Sequence, residues 1–136
     1  EDAFEYGATT KRPRDIAYLD LPAIKFFTKS GQANALILTH MDVVYEDTLI
    51  KICVGYTRNG KAAEYRPDQE YLNTVKPVYK ELKSWDVAKL RAAKTRRTLP
   101  TEAKQFLSLI EKEIDVPIHM ITTGPKREQG ILLSTK

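Results

Sequence analysis

Between positions 99 and 122 the hydrophobic period switches from that of a helix to that of a buried strand, and few architectures accept such a junction. Pro100 suits the first turn of a helix, and Ala103, Phe106, Leu107, Ile110 and Ile114 then fall on one face at helical spacing. Asp115 and Pro117 stop that helix. The run VPIHMIT at 116–122 follows at once, apolar on both sides and of strand length, and it ends in the loop Thr123-Gly124-Pro125. A helix feeding a strand that is covered on both faces belongs to a mixed α/β layer structure.

The rest of the chain alternates in the same way. Residues 19–31 read as a helix capped by Asp20, with Pro22 in its first turn and Gly31 at its end. A short apolar strand is expected at 35–39, and a β-branched, alternating strand at 48–56 with Ile50, Ile52 and Val54 on one face. Asn59-Gly60 is a hairpin signal, with 61–65 as the returning strand. Short elements are expected at 69–75 and 78–82, and a last strand at 129–133. The predicted fold is therefore α/β, a mixed and largely parallel sheet with flanking helices, in one domain of 136 residues.

Charge and composition limit the function classes. The net charge of +4 favours anionic ligands. Basic residues gather at 11–14 and at 89–97, but no aromatic residue interleaves with the second run, so it reads as a solvated segment ahead of a helix and nucleic acid is not expected. The apolar runs are too short to span a bilayer, and no secretory leader is seen, so a cytoplasmic protein without a membrane partner is expected. Cys53 is the single cysteine, and between Ile52 and Val54 it reads as a buried thiol.

Three loops carry residues that packing does not require. Gly7, Ala8, Thr9, Thr10, Lys11, Arg12, Pro13 and Arg14 place two hydroxyls beside three cations, a cradle for carboxylate or phosphate. Thr39, His40, Met41 and Asp42 follow the strand at 35–38, where α/β proteins set their ligand loops. A carboxylate there can accept from the ring N1–H and the exocyclic amine of guanine, or simply cap a turn. Thr122, Thr123 and Gly124 let a flat ring or a phosphate approach the backbone. Taken singly, each is also what an ordinary basic loop or turn looks like. His40 has no companions at metal-ligand spacing, so no zinc site is expected. The chain has neither a GxxxxGK[ST] loop nor a GxGxxG turn, and no Ser-His-Asp pattern. A binding module, or part of an enzyme, fits it better than a complete enzyme.

Read in order, these segments resemble the adenylosuccinate synthetase family. EYGATTKRPR with Tyr18-Leu19-Asp20 is similar to that family's EFGxTTGRPRRxGWLD, and LTHMDV at 38–43 to its LTKLDVL. IKICVGY at 50–56 is similar to IKICVAY, KPVY at 76–79 to KPVYE, and TGPKREQ at 123–129 to TGPDREQ. The resemblance covers essentially the whole chain. It implies a portion of a larger P-loop-like nucleotide-binding fold, and a ligase that uses GTP and Mg2+ to activate IMP as a 6-phosphoryl intermediate and join it to L-aspartate. The phosphate loop, catalytic aspartate and catalytic histidine of the family have no match here, so the chain is expected to be a carboxy-terminal portion, with Mg2+ held by the amino-terminal part and little activity alone.

The resemblance further implies that Ala8, Thr9, Thr10, Lys11, Arg12, Pro13 and Arg14 bind aspartate and the IMP side. It assigns Arg14, His40, Met41, Asp42, Thr122, Thr123 and Gly124 to GTP, in a homodimeric enzyme. Four departures mark a divergent, archaeal-like or phage-type member: Lys11 for glycine, Asp15 for arginine, His40 for lysine and Thr122 for serine. Two other readings stay open, a phage-type relative that uses dGMP and ATP, and a non-catalytic nucleotide-binding module.

Overall fold

A computed structural model describes residues 6, 9–12 and 16–133. Its elements run β1 (Leu19–Asp20), α1 (Leu21–Ser30), β2 (Leu36–Leu38), β3 (Leu49–Arg58), β4 (Lys61–Ala63), α2 (Gln69–Leu72), β5 (Lys76–Lys83), α3 (Val87–Ala92), α4 (Thr101–Ile114), β6 (Ile118–Thr122) and β7 (Gly130–Leu132). In the first sheet β3 pairs parallel with β1 and antiparallel with β4 on one edge, and antiparallel with β5 on the other. In the second sheet β6 lies between β2, to which it is parallel, and β7, to which it is antiparallel. The mixed α/β architecture is as expected, with the long β3–β5 ladder shifting the balance toward antiparallel pairing.

Most elements form for the reasons visible in the chain. Asp20 caps α1 by accepting from the Ala23 amide at 3.0 Å, Pro22 sits in its first turn, and Gly31 returns its amide to the Phe27 carbonyl at 2.9 Å. Asn59 and Gly60 both take positive φ, 52° and 75°, which matches the twist of the β3–β4 hairpin. α4 ends where Asp115 turns left-handed at φ 62° and its amide closes onto the Glu111 carbonyl.

One core joins the two sheets. Leu107, Ile110 and Ile114 of α4 pack in a single buried cluster with Leu21 of α1, Ile52 of β3, and Ile118 and Ile121 of β6. Ile50, Ile52 and Val54 of β3 meet the core as expected, Cys53 and Tyr56 are buried as well, and the pairing with β5 carries a bulge between Cys53 and Gly55. Burial raises the Cys53 thiol above its ordinary range, so it stays protonated.

In the basic segment at 89–97, Lys89, Arg91, Lys94 and Arg97 are exposed as expected, while its apolar residues and Arg96 tie it to the fold. Asp86 caps α3 through the Lys89 amide at 2.9 Å, and Leu90, Ala93 and Leu99 are buried. Arg96 forks onto the Glu111 carboxylate of α4, with Nη1 donating to Oε1 at 2.8 Å and Nη2 to Oε2. The same carboxylate accepts from the Ile118 amide at 3.0 Å, at the start of β6.

Glu111 therefore ties three segments together. The Arg96 guanidinium holds its carboxyl below the ordinary glutamate range, against an opposing push from burial. A lowered folded value stabilises the fold above the unfolded glutamate range, and this contribution is lost as pH falls through the folded value. Glu111→Gln should cost about 1–2 kcal/mol at pH 7, since both side chains keep some water. Its deficit relative to the unmodified chain should shrink in urea melts as pH falls into the acid range. A deficit that is constant with pH would remove the ion pair from the account.

Candidate functional site

β2 and β6 are parallel neighbours, paired up to Leu38 and Ile121, so the loops that follow them leave from the same sheet edge. They are stitched together immediately. The His40 amide donates to Thr122 Oγ1 at 3.2 Å, and the Met41 amide to the Thr122 carbonyl at 3.1 Å. His40 takes a left-handed φ of 59°, and its carbonyl accepts from the Val43 amide at 3.0 Å, which closes a tight turn. Met41 is buried, and its carbonyl accepts from Trp85 Nε1 at 2.8 Å. Of the residues singled out in the sequence, His40, Met41, Asp42, Thr122 and Thr123 thus lie along one edge.

The second loop is shaped by Gln129. Its carbonyl accepts from the amide of buried Thr123 at 2.9 Å and from the Thr123 hydroxyl at 3.2 Å. Its side-chain Oε1 accepts from the Lys126 amide at 2.8 Å and crosses directly over Gly124. A Cβ at Gly124 would come within 2.4 Å of the Gln129 amide atoms. A side chain at this position would have to push the Gln129 amide aside.

Asp42 is not alone. Arg91 of α3 donates from Nη2 to Asp42 Oδ2 at 2.9 Å. The carboxylate side chain is only 9% exposed, against 54% for the arginine. Sequence reasoning missed Arg91 as it missed Arg96. The available signal was Trp85 and Leu90, two large apolar residues that anchor this segment to the core. Trp85 and Arg91 together brace the 40–42 turn, one at the Met41 carbonyl and the other at the Asp42 carboxylate.

The basic loop is placed differently. It precedes β1, which belongs to the other sheet. Residues 9–12 are exposed, and their one recorded side-chain bond is Thr10 Oγ1 accepting from the Arg12 amide at 3.5 Å. Among the described residues no hydrogen bond joins them to 40–42 or 122–124. Ala8, Pro13, Arg14 and Asp15 lie outside the described residues. Where the loop enters the fold, Asp20 caps α1 with Oδ1 and accepts from the Tyr56 hydroxyl with Oδ2, which raises the tyrosine well above its ordinary range behind the desolvation of the ring.

Comparison with known proteins bears on what this edge is for. The family model of adenylosuccinate synthetase matches residues 1–131. The chain belongs to the adenylosuccinate synthetase family. It is 39% identical over 130 residues to the adenylosuccinate synthetase of Aquifex aeolicus, covering 95% of this chain and 30% of that protein. To that of Borrelia turicatae it is 39% identical over 137 residues, covering 100% of this chain and 32% of the relative. The chain thus spans about a third of the length of the synthetases it matches. Its fold is similar to the structure of a fully ligated adenylosuccinate synthetase from Plasmodium falciparum, with a TM-score of 0.89 and 30% identity over 97% of this chain and 32% of that one.

Against the synthetase pattern, two departures acquire a structural reading. Lys11, which stands where the pattern has glycine, takes φ 54°, the region glycine enters freely and other residues enter at a cost. Thr122, in place of serine, keeps the hydroxyl that the His40 amide needs. Among the described residues no three His, Cys, Asp or Glu side chains gather as a metal would require, and no helix is long and apolar enough to cross a membrane.

The contact between Gly124 and Gln129 is open to a double-mutant cycle. Gly124→Ala should destabilise the chain by about 1 kcal/mol by displacing the Gln129 side chain from the Lys126 amide. In a Gln129→Ala background the same substitution should cost much less. Additive melting shifts would show that the two residues do not interact.

Proposed function

We propose that this chain is the guanine- and aspartate-binding portion of a ligase that makes adenylosuccinate from IMP and L-aspartate at the expense of GTP. The observation that carries the reading is the juxtaposition of His40, Met41 and Asp42 with Thr122 and Thr123 at the carboxyl ends of two adjacent parallel strands. This is the edge at which open α/β sheets take their ligands. Family membership supplies the chemistry: phosphorylation of the IMP 6-oxygen, then displacement of phosphate by the aspartate amine.

In this reading Asp42 receives the N1–H and exocyclic amine of guanine. Each carboxylate oxygen has two acceptor sites, so the bond from Arg91 leaves capacity for both. His40 lies against one face of the base, and Thr122, Thr123 and Gly124 form the other wall, with the bond from the His40 amide to Thr122 keeping the walls in register. Thr9, Thr10 and Arg12 hold the aspartate substrate, Arg12 by a charge-assisted fork, with Ala8, Lys11 and Pro13 completing the loop. Arg14 reaches the GTP side. The magnesium that the family uses has no matching donor set among the described residues, and no step here runs through it. Homodimeric assembly and a cytoplasmic setting belong to the same proposal.

Donor choice tests the base site. GTP should be preferred over ATP, because adenine presents an acceptor at N1, which would face the Asp42 carboxylate, itself an acceptor, without a proton between them. Sites of this kind discriminate by up to about 10⁴–10⁵. Asp42→Asn should erode the preference when GTP and ATP are compared as donors in the whole protein. A native preference for ATP would favour the phage-type relative instead.

The aspartate loop is tested separately. Arg12→Leu should raise the aspartate KM or lower turnover by an amount corresponding to about 2–5 kcal/mol, with the circular dichroism spectrum unchanged because the residue is exposed. Unaltered kinetics would put aspartate elsewhere.

A further inference from the structure

Asp42 and Arg91 form a pair whose exposed face is itself a hydrogen-bonding pattern. The bond between them uses one guanidinium nitrogen and one carboxylate oxygen, 2.9 Å apart. Among the described residues Arg91 has no second hydrogen-bond partner, so most of its five N–H donors are uncommitted. The arginine is 54% exposed and stands over a carboxylate that is nearly covered, at the sheet edge where the 40–42 and 122–124 loops meet. Side by side, the two groups offer an acceptor and a donor.

A purine with a 6-oxo group offers the complement, a donor at N1–H next to an acceptor at O6. Adenine offers the reverse at both atoms, an acceptor at N1 and a donor on the exocyclic amine. We propose that Arg91 is a specificity-determining residue of the base site, donating to the purine 6-oxygen while Asp42 accepts from N1–H. The inference rests on the base-site reading above and adds a second contact to it. It also gives the basic segment a role, since α3 is held by Trp85 and Leu90 in the core and by its Asp86 cap, so that the arginine is presented from a fixed backbone.

The distinction from a mere brace for Asp42 lies in which base atoms each residue reads. O6 and N1–H are common to guanine and hypoxanthine, whereas the 2-amino group belongs to guanine alone and is read by Asp42. Isothermal titration calorimetry of the whole protein with GTP, ITP and ATP separates the two roles. Arg91→Ala should weaken GTP and ITP by about the same factor, on the order of tenfold, and leave their ratio unchanged. Arg91→Lys keeps a single donor and should recover part of the loss. Asp42→Asn, by contrast, should narrow the ratio of GTP to ITP. If Arg91→Ala narrows that ratio too, the arginine only orients the carboxylate and the inference fails. Unchanged or tighter binding of GTP in Arg91→Ala would mean that the side chain does not meet the base. If the unmodified protein does not distinguish GTP and ITP from ATP, the base-site reading itself is wrong and this inference goes with it.

Discussion

Everything in this fold leans on one stripe of α4. Leu107 and Ile110 are fully buried, Ile114 nearly so, and they face both sheets at once, meeting Ile52 of β3 on one side and Ile118 and Ile121 of β6 on the other. Each such side chain contributes about 1.5–3 kcal/mol by leaving water. Among the described residues no strand pairing joins the two sheets, so this apolar contact fixes their relation and, with it, the height at which the ends of β2 and β6 stand.

Polar groups then set what the apolar contact leaves free. Glu111 fixes the start of β6 through the Ile118 amide and the approach to α4 through Arg96. Trp85 fixes the 40–42 turn through the Met41 carbonyl, and Asp20 fixes the entry to α1 through the Ala23 amide and Tyr56. In each case one side chain satisfies a backbone group or a carboxylate that would otherwise be stranded at the margin of the core. Of these bonds, the one from Trp85 acts directly on the turn that follows β2.

That division explains what was legible in the chain. The α4 stripe, the α1 cap, the Asn59-Gly60 turn and the 118–122 strand are local patterns, and local patterns can be read directly. The two-residue β1 could not be, since it exists only through pairing with Ile52 and Cys53 of β3. The bulge in β3 and the full length of β5 depend on the same kind of partner. The loops at 40–42 and 122–124 were recognisable by residue type, but their contact follows from strand pairing. Arg91 and Arg96 were hidden for a simpler reason: their acidic partners lie 49 and 15 residues away, outside the basic run itself.

The bond from the His40 amide to Thr122 closes across 82 positions of the chain. The bonds between the two loops need both β2 and β6 in place. Contacts of this kind form late, after the entropy of closing the long intervening loop has been met. A ligand seated on this edge would therefore recognise only the fully folded chain, and its binding free energy would add undivided to the stability of the whole.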